Sequence, residues 1–551
     1  MTIDVDVLIV GGGISGLTAA YTISKRDPSL TYVVLEAKDR VGGRTFSVPL
    51  KTGTGTDIFD LGGQWVGTSQ IDVMDLLKEL GIDTYSQYIK GRKFMQVDGH
   101  KISSYTSSIP SLSFFSLIDL DMSIKKMDKM AKLVNIQDPY KSPQAKKWDA
   151  MTVETFVSQN VWTQAAKDCL VSATRCMMGV ELSQISVLYF LSYVNAAGSL
   201  QKLIEATENC GQEFKIKVKK KNKCFVHTIG SIRGAQQISK QLVSKLAKDT
   251  VKLSHPVLSI EQTKDCVIVK TLNGTEFKCK SVIMATPPNM TNKINFKPNL
   301  PAPKKEIMNR MPVGLLNKVI ITYEKSFWRE AGCSGEIVTI GGPSTAEGCD
   351  EGPLCIVYDA TSSNNNAALV AFIGGKQAVQ WQLQPEADRQ EQDWGLEPYS
   401  EGSPVCCAAP GAMPYFVTGL RHSFDRIYFA GTESATRWCG FMNGAVQAGK
   451  RAAFEVIYRF HPQRLLREEV NEAFVISRTD LKLKQKSSHL RFYVFGIGTV
   501  IGAGEFRTDS LKLEQSERIC VVSIVLSGQS QHDIDIAICS KSHNLYKNTL
   551  L

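Results

Sequence analysis

A short unbroken apolar run, Val7 to Val10, sets the first rhythm of the chain. A run of that length without polar alternation predicts a strand buried on both faces. It leads directly into Gly11-x-Gly13-x-x-Gly16, after which Leu17, Ala20 and Tyr21 fall on one helical face. A second apolar run, Tyr32 to Leu35, ends at Glu36, twenty residues after Gly16. Strand, glycine turn, helix and strand in that order predict a doubly wound α/β sheet. Farther on, Val153 to Met178 contains no Gly or Pro and Gly179 follows it, which predicts helix throughout 153–178 with a glycine stop. Ala368 to Gly375 reads as a strand, and Lys376 as the start of a helix. The best apolar candidate for a membrane, Phe492 to Gly504, is 13 residues long, short of the roughly 20 a spanning helix needs. It reads as a strand or, at most, an interfacial segment.

The first turn carries chemistry. Gly11 permits the tight turn, Gly13 lets backbone approach a pyrophosphate, and Gly16 lets helix pack on strand. The helix start, Ile14 and Ser15, presents free N–H groups and a positive dipole end to phosphate. Glu36 can accept from both ribose hydroxyls, which disfavours a 2′-phosphate. Together these predict a dinucleotide site rather than a bare turn. The chain continues Glu36-Ala37 and then "DRVGGRT", where Arg40, Gly42, Gly43 and Arg44 offer a second backbone approach to phosphate with guanidinium groups beside it. "DLGGQWVG", Asp60 to Gly67, is a turn able to pass close to a flat ring.

Composition adds bounds. A chain of 551 residues with 43% hydrophobic and 21% charged residues reads as globular, with two domains or an interleaved pair plus a tail. The net charge of +10 is partly local, in the run "KIKVKKKNK" from Lys215 to Lys223. Without interleaved aromatics this run reads as a solvated loop and not a nucleic-acid patch. "TSSNNN", Thr361 to Asn366, likewise reads as an exposed loop. Fourteen dispersed cysteines without a leading secretory segment predict free thiols in a reducing compartment. No paired CxxC spacing points to zinc.

Beyond the first motif, "HPVLSIEQT", "VIVKTLNGTEFKCKSVIMATPP", "MPVGLLNKVIITYEKSFW", "EQDWGLEPYS" and "RIYFAGTESATRWCGFMNGAVQAGKRAA" continue a single pattern. It resembles the flavin-containing monoamine oxidases, within the flavin amine oxidase family, over roughly residues 4 to 455. The resemblance implies an FAD-binding Rossmann-like domain, 1–80, 225–298 and 391–455, interleaved with an α+β substrate domain, 81–224 and 299–390, before a divergent tail, 456–551. It implies that Val257 meets the adenine, that Gly431 and Glu433 bind a ribityl or phosphate oxygen, and that the helix from Met442 faces the flavin. It also implies that Lys318 reaches the flavin N5 through water, that Trp394 and Phe441 shape the amine site, and that Gln212 and Phe372 line it. The implied reaction is FAD-dependent oxidation of a primary amine to an imine, hydrolysed to aldehyde and ammonia, with oxygen reduced to hydrogen peroxide. Amine and O2 are then the small-molecule partners. A homodimer, a membrane association and a place at the mitochondrial outer membrane come with the family.

Several positions depart from the family pattern. Ser403 stands where the resemblance places a flavin-linking cysteine, so FAD is expected to be noncovalent; Cys406 and Cys407 lie out of register and read as inert thiols. Pro404 and Phe441 stand where the family has two tyrosines. The segment Gln390–Glu391 lacks the loop and strand expected after the helix from Lys376, "FKIKVKKKNKCFVHTIGSIRG" replaces a glycine-rich turn, and the family's C-terminal anchor is missing. A splice isoform or an incorrect gene prediction would explain all three, and a chain without the anchor would be cytosolic. Two other readings stay open: a putrescine, polyamine or L-amino-acid oxidase with noncovalent FAD, and a noncatalytic flavin-binding isoform.

Overall fold

The computed structural model describes residues 2–98, 101–217, 234–341, 352–383, 392–474, 492–494, 508–515, 518–525 and 535–539. The chain divides into two compact units, Met1–Ile476 and Ser477–Leu551. In the second, strands Phe492–Val494, Thr508–Gln515, Arg518–Val525 and Asp535–Cys539 pair in sequence order as an antiparallel meander. The predicted strand at Phe492 therefore covers Phe492–Val494, and the rest of the segment to Gly504 lies outside the described residues.

The first unit holds two large sheets. The first strand, β1 (Thr2–Val10), runs parallel to Glu276–Met284 on one side and to β2 (Tyr32–Leu35) on the other. Val7, Leu8 and Ile9 have no exposed surface, as a strand covered on both faces requires. The full order is Val251–Lys252, β2, β1, Glu276–Met284, Val267–Thr271, Val257–Gln262 and Asn295–Lys297, with Ile427–Phe429 joining Glu276–Met284 in parallel. Helix α1 (Ile14–Arg26) packs between this sheet and the helix Met442–Phe460. The contact is close: a Cβ on Gly449 would stand 2.3 Å from the Ser15 carbonyl oxygen. The second sheet orders Leu316–Thr322, Ala368–Gly374, Ile356–Asp359, Cys333–Thr339, Arg92–Val97 and Lys101–Tyr105. The mixed α/β class is as expected. The compact unit continues past the expected boundary at 455, because Arg467–Phe474 packs on Met442–Phe460 with the Tyr458 and Phe474 rings 4.7 Å apart.

Three local expectations are corrected. The helix expected over 153–178 is two helices, Val153–Asn160 and Gln164–Met178. A buried carboxylate makes the break: Asp119 Oδ2 accepts from the Trp162 and Thr163 N–H groups, at 2.9 and 2.7 Å, and from the Thr163 hydroxyl. This satisfies amides that a continuous helix would have bonded internally. Gly179 does end the second helix, at φ 68°. "TSSNNN" is no exposed loop: Thr361, Ser362 and Asn366 are buried, and Ser362, Asn364 and Asn366 all donate to Asp57. Lys215 is also buried, in the strand Phe214–Ile216, where its ammonium donates to the Asp359 and Thr361 carbonyls. Lys217 is exposed, while Lys219 to Lys223 and the segment around Gln390–Glu391 lie outside the described residues.

A two-ended candidate active site

One cavity of about 580 Å³ runs from the C-terminal ends of the first sheet to the face of the second. Its first end is made largely of backbone. Gly11, Gly13, Ile14 and Ser15 line it, as do Ala37, Gly43 and Arg44. Gly13 and Gly42 form an isolated parallel bridge, so the two glycine turns lie side by side. Cβ atoms on Gly13 and Gly43 would meet nothing closer than 3.6 Å; these glycines leave room for a ligand rather than for packing. Gly16 does the opposite. It does not line the cavity, and a Cβ there would stand 2.0 Å from the Gly11 carbonyl oxygen.

Glu36 sits at the end of β2, 6% exposed, accepting from the Gly12 and Lys38 N–H groups at 2.7 and 2.9 Å. Burial raises its carboxyl, against these bonds and the Lys38 and Arg40 charges. Val257 lines the same end. Arg40 does not: its guanidinium pairs with Glu397 at 2.7 Å and stacks over Phe46. Gly431 and Glu433 also stay outside the cavity lining. Glu433, 1% exposed, is engaged by Arg44 at 2.6 Å, so its carboxylate fixes the arginine that lines the cavity.

The second end is built from side chains. Lys318, in the strand Leu316–Thr322, is 3% exposed and donates to the Gly62 carbonyl at 3.0 Å and Gln64 Oε1 at 2.5 Å. Burial pushes its ammonium down to about 7; Asp60 opposes that shift and Lys215 adds to it. Trp65 and Phe372 flank the ammonium, at 5.6 and 5.7 Å from their ring centres. Trp394 lines the cavity with its indole N–H on the Leu61 carbonyl. Phe441 lines it too, against the Tyr193 and Trp438 rings, as do Met442, Pro404 and Gln212. Both glutamines line the cavity, and Gln212 Oε1 and Gln64 Nε2 are buried without a protein partner, which leaves each short of a hydrogen bond.

Ser403 lines the cavity and donates to the Leu316 carbonyl at 3.0 Å, whereas neither Cys406 nor Cys407 reaches it. Both thiols are buried, and burial raises them well above the ordinary range. Protonated thiols of that kind are poor nucleophiles. Sequence reasoning left out Tyr193, Cys176, Met177 and Leu203, which complete the wall. They come from helices with no local motif. Gln64 was within reach of it, in the Asp60–Gly67 turn.

A dinucleotide with a flat ring fits this arrangement on three grounds: the open glycine faces, the unpartnered amide atoms, and an acid at the end of β2 beside first-turn N–H groups. Comparison with known proteins agrees. The family pattern described as "Flavin containing amine oxidoreductase" matches residues 14–457. Amine oxidase [flavin-containing] A of Equus caballus is 33% identical over 477 residues, which span 82% of this chain and 85% of the relative. Amine oxidase [flavin-containing] B of Homo sapiens is 33% identical over the same length, 86% of the relative. Among solved structures, wild-type putrescine oxidase bound to putrescine superposes with a TM-score of 0.74 at 25% identity, covering 83% of this chain and 100% of that one. Cyclohexylamine oxidase from Brevibacterium oxydans IH-35A superposes at 0.72 and 26%, covering 83% and 99%. The chain belongs to the family of flavin-containing amine oxidases.

Proposed function

We propose that this chain oxidises a primary monoamine with an apolar body, using noncovalent FAD and releasing hydrogen peroxide. The observation that carries the substrate class is the separation of charge along the cavity. The carboxylate residues of its lining are Glu36 and Glu401. Glu36 is at the nucleotide end, and Glu401 pairs with Lys293. The arginine of the lining, Arg44, is paired with Glu433. The amine end is formed by Trp65, Cys176, Met177, Tyr193, Leu203, Leu316 and Phe372 around Gln212 and Lys318. Among the described residues such a wall has no counter-charge for a second ammonium and no guanidinium for an amino-acid carboxylate.

FAD, when bound, supplies the two-electron oxidation of the amine and its reoxidation by oxygen. The protein's part is placement. The glycine turns, Glu36 and Arg44 would hold the dinucleotide. Trp65, Phe372, Phe441 and Trp394 exclude water and orient the apolar body of the substrate. Gln212 Oε1 can accept from the amine N–H. Lys318, its ammonium brought down to about 7 by burial, can hold a water or a proton beside Gly62 and Gln64. The noncovalent cofactor follows from Ser403, a hydroxyl at the cavity wall with its hydrogen already committed to Leu316. A place at the mitochondrial outer membrane rests on the family resemblance; among the described residues no helix is long and apolar enough to cross a membrane.

Peroxide release measured side by side with benzylamine, putrescine and an L-amino acid tests the reading. Turnover of benzylamine well above the other two is expected. Preferential turnover of putrescine or of the amino acid would overturn the monoamine assignment.

A further inference from the structure

Behind Lys318 lie two charged groups, Lys215 and Asp60, that do not line the cavity and that the proposed reaction does not use. Lys215 and Lys318 are 5% and 3% exposed, and neither forms an ion pair among the described residues. Each ammonium is held by uncharged acceptors: Lys215 by the Asp359 and Thr361 carbonyls at 3.3 and 3.1 Å, Lys318 by Gly62 and Gln64. One short segment ties them together. Asp60 ends the strand Gly55–Asp60, Gly62 and Gln64 follow it, and Trp65 pairs with Lys215 across the strands. Asp60 Oδ1 accepts from the Ser47 hydroxyl at 2.5 Å and the Ala235 N–H at 2.8 Å, which fixes its carboxylate. It is the carboxylate that acts on both lysines.

We propose that Lys215 and Asp60 are positioning residues for Lys318, acting with opposite sign on its charge from behind the cavity wall. The assignment rests on the proposed function for its catalytic meaning, because it makes amine capture depend on a lysine outside the cavity. The other charged groups near the cluster are accounted for. Asp359 is bonded twice by Arg329, at 2.7 Å each, and Asp57 is held by Ser362, Asn364 and Asn366. Tyr85 lies beneath the Lys215 ammonium, and burial raises its hydroxyl far above neutrality. The strand Ala368–Gly374 brings Phe372 to Lys318, the chain beside Trp394 brings Gln392, and Asp393 turns away to Gln382. Among the described residues that leaves Asp60 and Lys215 as the charges set against Lys318.

The test uses the full chain with 13C at lysine Cε and follows each lysine through a pH titration by two-dimensional NMR. The Lys318 signal is identified by its loss in Lys318→Met. Lys215→Met removes a like charge and should raise the Lys318 midpoint by about one pH unit, whereas Asp60→Asn should lower it by a similar amount. Lys215→Arg keeps the charge and should leave it near that of the unsubstituted protein. The acid limb of kcat/KM for benzylamine should move in the same two directions, through KM more than kcat. Displacement of the NMR midpoint in the same direction by both variants, or in neither, would overturn the assignment, since a packing defect has no reason to change sign with charge. The NMR arm needs no turnover. A protein inactive on every amine would reject the proposed function, yet opposite midpoint displacements would still support the role of Lys215 and Asp60.

Discussion

The two ends of the cavity are built by different rules. The nucleotide end is mostly backbone: Gly11 to Ser15 and Gly42 to Arg44 come from two short local stretches and meet at the Gly13–Gly42 bridge. The amine end is mostly side chains, drawn from Trp65, Met177, Tyr193, Gln212, Leu316 and Phe372, which are far apart in the chain. A backbone site tolerates few substitutions because a Cβ takes the ligand's space, as at Gly13 and Gly43, or collides with main chain that cannot rotate away, as at Gly16 and Gly42. A side-chain site accepts many apolar residues of similar volume, and its specificity lies in a few polar atoms such as Gln212 Oε1. The cofactor end should therefore fail by losing structure, and the amine end by losing rate.

Gly16→Val probes the first rule most strongly. Its Cβ would overlap the Gly11 carbonyl, so helix α1 must move off the sheet, at a cost of about 3 kcal/mol. Flavin content and Tm should fall together; a variant that keeps its flavin would break the comparison. Lys318→Met probes the second. Flavin content should hold while kcat/KM for benzylamine falls roughly 100-fold, in the range of a lost proton-handling group. The same variant has a pH signature. Lysine has an ordinary value of 10.5 and burial brings Lys318 to about 7. Between those values the unfolded chain carries the proton and the folded protein does not, so stability rises with pH in that window. Denaturant unfolding should show this rise in the unsubstituted protein and a smaller one in Lys318→Met; equal slopes would contradict the burial of a neutral amine.

Smaller effects sharpen the picture. Gln212→Leu removes one acceptor and should raise KM about fivefold, worth about 1 kcal/mol, with kcat little changed. Ser403→Cys should change stability by less than about 1 kcal/mol. It should nevertheless move the yellow colour from the supernatant to the pellet on acid precipitation, because it places a thiol where Cys406 and Cys407 do not reach. Colour in the pellet before the substitution would mean that one of those two thiols reaches the flavin.

The same contrast explains what could be read from the chain in advance. The turn at Gly11 to Gly16 and the acid at Glu36 were legible because main-chain geometry demands those residues at that spacing. The break before Gln164 was not, because it is imposed by Asp119 on another helix. Nor was the burial of Thr361, Ser362 and Asn366, in a polar stretch that looks like a solvated loop until Asp57 gathers it. Lys215 misled for the same reason: it stands at the head of a lysine-rich run, but its ammonium meets carbonyls in the fold. Glu433 and Arg40 were legible as residues near the nucleotide end, and their side chains turn to Arg44 and Glu397.

The most direct measurement is anaerobic addition of amine to the purified flavoprotein, followed by the visible flavin band. The account predicts bleaching by benzylamine at catalytic rates, restored by oxygen, with little bleaching by putrescine at equal concentration. Bleaching by putrescine but not benzylamine, or a flavin-loaded protein that no amine bleaches, would contradict it.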